Sequence, residues 1–498
     1  MTADEALAAL RARWEEISDL SHAADVLDWD QLVYMPPGGA RARGEQLGTL
    51  RRLAHERLAS PATEEELAAA EAGSTDAEVQ TWLRTARREY ERASRVPPDL
   101  VAEMSRAATD GYAAWVAARE RNDFALFAPA LTRLLDLARR RADAAGHTGE
   151  RYDALLAEHE PEMRTERLRP IFSQLRGALV PLIEAIAGRP RPSRASFARP
   201  LPEEEQWRAG VRAITAFGYN WQRGRQDRSV HPFSTAFGPG DARITTRLHR
   251  EDFAVGFYAT LHEGGHALYE QGLPESWSRG PLGHAASTGV HESQSRLWEN
   301  MVGRSLPFWE HFTPILRQCV PGAFDALSPD ALFRASNVVE PSLVRVEADE
   351  VTYNLHIALR FELEVALLRG DLPVADLPGA WNAGMEAALG VRPVDDLHGV
   401  LQDVHWSQGG FAYFPSYTLG NILAAQWVGA FERVHGELAA WVRQGEFAPL
   451  LEFLRTEIHA RGAGPTPDEL TAAVAGGPVD PRPYLDYIGS KFRTIYGL

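Results

Sequence analysis

His262 and His266 stand four residues apart in the run His262-Glu263-Gly264-Gly265-His266. On a helix that spacing stacks the two imidazoles one turn apart on one face, within reach of a single divalent ion. A glutamate lying between them is placed to act as a general base toward a water activated by that ion. The chemistry this points to is metal-assisted hydrolysis of a peptide bond. The ion would polarise the scissile carbonyl and acidify the water, and Glu263 would take the proton and pass it to the leaving amine. The residue frequencies of a chain of this composition produce the pattern by accident in roughly one case in 25, so the pair needs a third ligand to support it. The bland alternative, a helix with two surface histidines, must explain Gly264-Gly265, because two glycines cost a helix interior about 2 kcal/mol relative to alanine.

A metzincin would carry glycine and histidine three and six positions beyond His266, where this chain has Tyr269 and Gly272, so that class is excluded. Glu292, in His291-Glu292-Ser293-Gln294, is the candidate third ligand, because a carboxylate from a neighbouring helix would leave one coordination position open for water. The competing reading pairs Glu292 with Arg296 at i,i+4 on a solvated face. His284 and His291 are weaker ligand candidates.

The elements that must position these residues are mostly helical. Asp252 suits an N-cap, Gly272 a C-cap and Pro274 a stop, which predicts a helix over 253–271 bearing the histidine pair. Residues 3–186 read as amphipathic helices, with apolar positions such as Leu7, Leu10, Trp14 and Ile17 at helical spacing. Breakers interrupt them at Pro36-Pro37-Gly38-Gly39, Pro97-Pro98 and Ala145 to Gly149. The segment Gly188 to Arg194 reads as a linker, placing a soft boundary near residue 200 between a helical region over 1–200 and a catalytic region over 201–498, the two expected to be continuous in one fold. Arg243 to Leu248 alternates polar and apolar residues and predicts a strand of a small sheet. The fold class expected is mainly α with a minor β-sheet.

A length of 498 residues with 45% hydrophobic and 24% charged residues describes a packed, enzyme-sized globular protein. The formal net charge of -16 argues against a nucleic-acid partner, which would demand clustered cations. The single cysteine, Cys319, rules out an intrachain disulfide and a thiolate metal cluster, and fits a reducing compartment. No stretch approaches 18 uninterrupted apolar residues and the N-terminus is acidic, so no membrane association and a soluble cytoplasmic location are expected.

Beyond the histidine pair, the chain carries a set of motifs in order. They are His231-Pro232-Phe233, Asp241 to Thr245 as D-x-R-x-T, the H-E-x-x-H run, His291 to Gln294, Val344 to Asp349 as a variant of I-R-x-x-A-D, and Gly399 to Trp406 as G-x-x-Q-D-x-H-W. With these and the stretches Trp29 to Pro37 and Phe414 to Asn421, the sequence resembles the carboxypeptidase Taq family of metallocarboxypeptidases along nearly its full length. The resemblance implies His262, His266 and Glu292 as ligands of one divalent metal, zinc first with cobalt or manganese as alternatives, and Glu263 as general acid/base. It also implies a large helical peptidase fold with a deep groove, like that of angiotensin-converting-enzyme-like and neurolysin-like peptidases, and a homodimer.

Release of a C-terminal residue from a peptide of any sequence requires a cation for the free carboxylate, and an arginine suits it by its forked geometry. Arg345 is the first candidate and Arg243 the second, each with a plain structural ion pair as the alternative, Arg345 with Asp349 at i,i+4. His405 and Tyr417, with Tyr413 as an alternative, are the candidates for stabilising the oxyanion, against a simple packing role for each aromatic. Two other readings stand beside the carboxypeptidase: an oligopeptidase cutting internally in short peptides, and a catalytically silent relative that binds metal or peptide.

Overall fold

The expectation of a mainly α protein holds over residues 1–498 of the computed structural model, where helices form most of the chain and three short strands form one sheet. No helix is long and apolar enough to cross a membrane. The chain divides into two compact units, each assembled from three segments. The first comprises Met1–Ser94, Ser193–Ser336 and Ala424–Pro478, and the second Arg95–Pro192, Asn337–Leu423 and Val479–Leu498. The Gly188 to Arg194 segment contains one of the points at which the chain passes between them.

The first unit opens on the helix Ala3–Val33. Thr2 caps it by accepting from the Glu5 amide, while the Glu5 side chain reaches back to the Thr2 amide. The helical spacing read from the sequence buries Leu10 and Trp14 completely, against Leu67, Trp82 and Leu83. The two indoles meet edge to face at 5.3 Å.

The sheet has the order β1-β3-β2, with β1 Gln226–Arg228 parallel and β2 Ser234–Ala236 antiparallel to β3 Ala242–Thr246. The predicted strand therefore exists, ending two residues earlier than its alternation suggested. Two of the sequence motifs build this sheet. The Thr245 hydroxyl receives the Phe233 amide at 2.9 Å, and Arg243 is clasped by Asp241 through Nε and Nη2 at 2.8 and 2.7 Å.

The sheet is fastened to the helix that carries the histidines, Phe253–Glu270, through hydroxyls. Thr260 donates to Thr246 at 3.1 Å, and Gln226 donates to Thr260 at 3.1 Å, all buried. Asp252 caps that helix by accepting from the Ala254 amide, as its position predicts. The C-terminus differs from expectation: Gln271 is the cap residue, in the right-handed region, and Gly272 does not adopt the left-handed conformation of a glycine cap. Gly272 is required instead for close approach, since a Cβ there would sit 2.1 Å from Nδ1 of the buried His459.

The glycine pair inside the motif has the same kind of cause. A Cβ on Gly265 would lie 2.6 Å from the Gln294 carbonyl oxygen and 2.7 Å from the Ser295 Cα, and one on Gly264 would lie 2.7 Å from Ile214 Cγ2. Gly265 thus lets the helix lie directly on the backbone of the helix Thr288–Arg296, and Gly264 makes room for Ile214 of the helix Glu203–Phe217.

The second unit is organised around the helix Tyr353–Arg369, buried on almost every side. It nevertheless holds polar side chains, and these are tied to neighbours. Asn354 donates to Tyr484 and accepts from Asn421, Arg360 meets Asp403 and Gln402, and Glu364 receives three donors.

Candidate metal centre

In the first unit, His262 and His266 project from the helix Phe253–Glu270, and Glu292 projects from the helix Thr288–Arg296. One side-chain donor atom from each of the three lies within 4.8 Å of the others. Glu292 Oε2 stands 3.3 Å from His266 Nε2 and 3.9 Å from His262 Nε2. Two imidazole nitrogens and one carboxylate oxygen converging at this separation suit a divalent ion with borderline ligand preference, so the residues present fit the metal the sequence implied. His284 and His291, the weaker candidates, are not part of the group.

The Glu292–Arg296 pair of the competing reading forms, but buried rather than on a solvated face, and it engages only one of the two carboxylate oxygens. Oε1 accepts from Arg296 Nε at 2.7 Å, one helical turn on, while Oε2 faces the histidines. Burial alone would raise this carboxyl, but Arg296 and the two histidines outweigh it and hold it well below the usual carboxylate range.

Each histidine is aimed by a partner behind it. His262 Nδ1 lies 2.9 Å from Glu299 Oε2, and Arg304 Nη2 donates to the other Glu299 oxygen at 2.9 Å. Glu299 sits in a π-helical turn, Leu297–Val302, that continues the Glu292 helix. His266 Nδ1 lies 2.5 Å from His291 Nδ1, whose Nε2 is 2.7 Å from Glu270 Oε1. Burial lowers the His266 pKa to about 4 against the pull of Glu292, so the ring is neutral and can offer a lone pair. For His262 burial also acts downward, yet Glu292 and Glu299 together raise it, and a metal ion would compete with a proton for its Nε2.

Glu263, between the ligand histidines, is only 7% exposed. Burial pushes its carboxyl up to about 7, with Glu292 and Glu299 acting the same way and His262 opposing. A carboxyl so placed is poised to take and return a proton near neutral pH.

The other predicted residues fall into two groups. Arg243 lies in the first unit, paired with Asp241 and stacked over Trp29 with its guanidinium carbon 4.3 Å from the ring centre. In the second unit, Arg345, His405, Tyr413 and Tyr417 form one cluster. His405 Nε2 is 3.3 Å from the Tyr417 hydroxyl, the Tyr413 and Tyr417 rings meet at 5.3 Å, and the Arg345 guanidinium lies over the Tyr417 ring at 5.0 Å.

Arg345 does not pair with Asp349 as i,i+4 spacing suggested. The chain forms only a 3-10 turn over Arg345–Glu347 and then extends, so Asp349 instead receives the Glu340, Val351 and Thr352 amides. Arg345 gives Nε and Nη2 to Asp403 at 2.9 and 2.8 Å and Nη1 to the Tyr353 hydroxyl at 3.1 Å. Arg360, fully buried and unremarked in the sequence, completes the pairing from the other Asp403 oxygen at 2.7 Å. Gln402 accepts from both the Arg345 amide and Arg360 Nη2. The Gln402-Asp403 pair of one motif thereby fixes the arginine of another.

Glu364 holds the loop that bears His405 and Tyr413. It receives Trp406 Nε1 at 2.8 Å, the Tyr152 hydroxyl at 3.0 Å and the amide of Ala412, a residue with φ of 62°, at 3.2 Å. Burial raises its pKa from 4.5 to about 7, against these donors. A carboxyl raised in the folded state contributes stability that is complete below about 4.5 and is lost as pH rises through 7. The cost of Glu364→Gln is therefore expected to be largest near pH 4.5 and to shrink by on the order of 3 kcal/mol by pH 8. Melting curves of both proteins across that range measure it, and a cost that grew with pH would contradict the assignment.

The residues that sequence reasoning did not single out are Glu299, Glu270, Arg360 and Glu364. Two of these carried a signal. Glu270 follows His266 by four residues and Glu299 follows Glu292 by seven, both helical repeats that bring them to the ligand face. Nothing local ties Arg360 to Asp403 or Glu364 to Trp406.

Comparison with known proteins gives the family. Residues 9–492 match the family model described as carboxypeptidase Taq (M32) metallopeptidase. The chain is 43% identical to thermostable carboxypeptidase 1 of Thermus thermophilus, with 100% of each chain covered. It is 34% identical to carboxypeptidase 1 of Bacillus subtilis, with 97% of each covered. Its fold superimposes on the crystal structure of an M32 carboxypeptidase from Deinococcus radiodurans with a TM-score of 0.97 at 39% identity, covering 99% of this chain and 100% of the other. A helical fold, a two-histidine, one-glutamate donor set around a buried glutamate, and similarity over the full length lead to one conclusion: the chain belongs to the carboxypeptidase Taq (M32) family of metallopeptidases.

Proposed function

We propose that the protein is a zinc-dependent carboxypeptidase that removes residues one at a time from the free C-terminus of peptides of broad sequence. The observation that carries this reading is the convergence of His262, His266 and Glu292 on one point, with Glu263 buried beside them. When bound, the ion supplies Lewis-acid activation of a water and of the scissile carbonyl. Imidazole and carboxylate donors favour zinc, although cobalt and manganese are accepted by the same set, and elemental analysis of freshly purified protein decides among them.

The chain's own residues then divide the work. Glu263 accepts a proton from the attacking water and delivers it to the departing amine nitrogen. His405 and Tyr417, joined through the tyrosine hydroxyl, are the proposed donors to the developing oxyanion, with Tyr413 packed against both. Arg345 is the proposed anchor for the substrate carboxylate, being oriented by Asp403 and grouped with Tyr417 and Tyr353. Arg243, paired with Asp241 through Nε and Nη2 and stacked over Trp29, is the second candidate. A homodimer in a cytoplasmic, reducing compartment completes the proposal, the single buried cysteine being consistent with it.

A carboxypeptidase needs the charge that an amide removes. Cleavage of one peptide with a free C-terminus should exceed cleavage of its amidated form by roughly 10–100-fold, on the order of the 1.5–3 kcal/mol of a hydrogen bond to a charged group. Mass spectrometry of the products measures both rate and position. Equal cleavage of the amide, or internal fragments in place of a ladder, would favour an oligopeptidase.

A further inference from the structure

The second tier of the metal centre is unequal on its two sides. His262 is backed directly by a carboxylate, whereas His266 is backed by another imidazole, with a carboxylate behind that. We propose that His291 and Glu270 are positioning residues that fix which nitrogen of His266 carries its proton, and so keep His266 Nε2 open to the metal. This rests on the reading that His262, His266 and Glu292 hold the ion.

An ionised Glu270 has only acceptors, so the proton in its 2.7 Å contact belongs to His291 Nε2. Once Nε2 of His266 is given to the ion, the ring's proton sits on Nδ1, and His291 Nδ1 must accept it while His291 Nε2 donates to Glu270. The two Nδ1 atoms, 2.5 Å apart, share that one hydrogen bond. That leaves the lone pair of His266 on Nε2, the atom 3.3 Å from Glu292 Oε2. The opposite arrangement, with the proton on His291 Nδ1, would move the His266 proton to Nε2 and close the nitrogen that faces the site.

The geometry of the relay is built into the fold. His262, His266 and Glu270 follow at intervals of four along one helix, so ligand, ligand and relay terminus share a face. Direct contact between His266 and Glu270 is replaced by the ring of His291, which lies tilted at 32° to His266 with centroids 4.6 Å apart. Tyr269, fully buried, packs against the His291 ring at 5.2 Å and against His459 at 4.7 Å, holding the spacer in place. The two residues of His291-Glu292 thus serve successive tiers of one site: Glu292 faces the metal and His291 faces the ligand behind it.

The test is zinc affinity of the stripped protein, measured by competition with a chelator, beside the melting temperature of the same metal-free samples. His291→Leu removes the acceptor and is expected to weaken zinc by about 10–100-fold. His291→Gln keeps an oxygen that can accept from His266 Nδ1 and should recover most of that loss. Glu270→Met, which preserves shape but removes the acceptor from the far end, is expected to weaken zinc about 10-fold and guards against a misfolded His291→Leu. Native affinity in Glu270→Met, equal losses in His291→Leu and His291→Gln, or losses that follow the melting temperature would each overturn the relay. His266→Ala separates the two levels: if it binds zinc as the native chain does, the ligand assignment has failed, whereas its loss beside an unaffected Glu270→Met condemns the relay alone.

Discussion

Glu263→Gln is expected to hydrolyse peptides roughly 10³–10⁴-fold more slowly than the native protein while binding one divalent ion per chain with unchanged affinity. The substitution keeps the size of the side chain and replaces only the group able to accept a proton. In the native chain that group is buried and raised to about 7, between the acidic neighbours Glu292 and Glu299 on one hand and His262 on the other. An amide there has no basic form, so loss of rate without loss of metal isolates proton transfer from binding. The loss corresponds to about 4–5 kcal/mol of transition-state stabilisation. Steady-state kinetics and metal content on the same preparation check it. Retained activity would remove Glu263 from the reaction and reopen the silent-relative reading.

Glu292→Ala is expected to do the reverse and remove the ion. It deletes one of three donors and also takes from Arg296 the nearer of its two carboxylates, at 2.7 Å, leaving Glu299 at 3.5 Å. Affinity for zinc should fall by more than the roughly 10–100-fold that loss of an outer-shell partner costs, and activity should fall with it at ordinary metal concentration. Dialysis against buffered zinc gives the affinity. Activity that returns to the native rate at high zinc would show that Glu292 serves binding alone, and native affinity would remove it from the ligand set.

The two variants bracket what the sequence made legible. Spacing alone sets His262, Glu263 and His266 on one helical turn, because a helix repeats every three to four residues whatever surrounds it. The Asp252 cap and the strand at Ala242–Thr246 were legible for the same reason, each resting on local chemistry. Glycine could be noticed but not interpreted. Gly264-Gly265 is visibly costly in a helix, and only the fold shows that the Ile214 side chain and the Gln294 and Ser295 backbone occupy the space side chains there would need. Gly272 has the position of a cap and the task of admitting His459, from 187 residues further along the chain.

Long-range pairing was the least legible part. Arg345 has an acidic neighbour four residues on and another, Asp403, 58 residues on, and it chooses the distant one because the chain leaves the helical path after Glu347. The motifs containing Arg345 and Asp403 were recognised separately, with no local periodicity to join them. Arg360 gives no such signal, since a fully buried arginine is indistinguishable in sequence from one on a solvated face. The outer tier of the metal centre lies between these extremes. Glu270 and Glu299 sit at helical repeats from the ligands, but their roles depend on where neighbouring rings point.

The central claim, that His262, His266 and Glu292 together hold the catalytic ion, is tested most directly by anomalous X-ray diffraction from zinc-loaded crystals above and below the zinc absorption edge. One strong anomalous peak per chain is expected, bonded to both Nε2 atoms and to a Glu292 oxygen at about 2.0–2.2 Å. A peak held by other side chains, or the same peak persisting in Glu292→Ala with unchanged occupancy at limiting zinc, would contradict it.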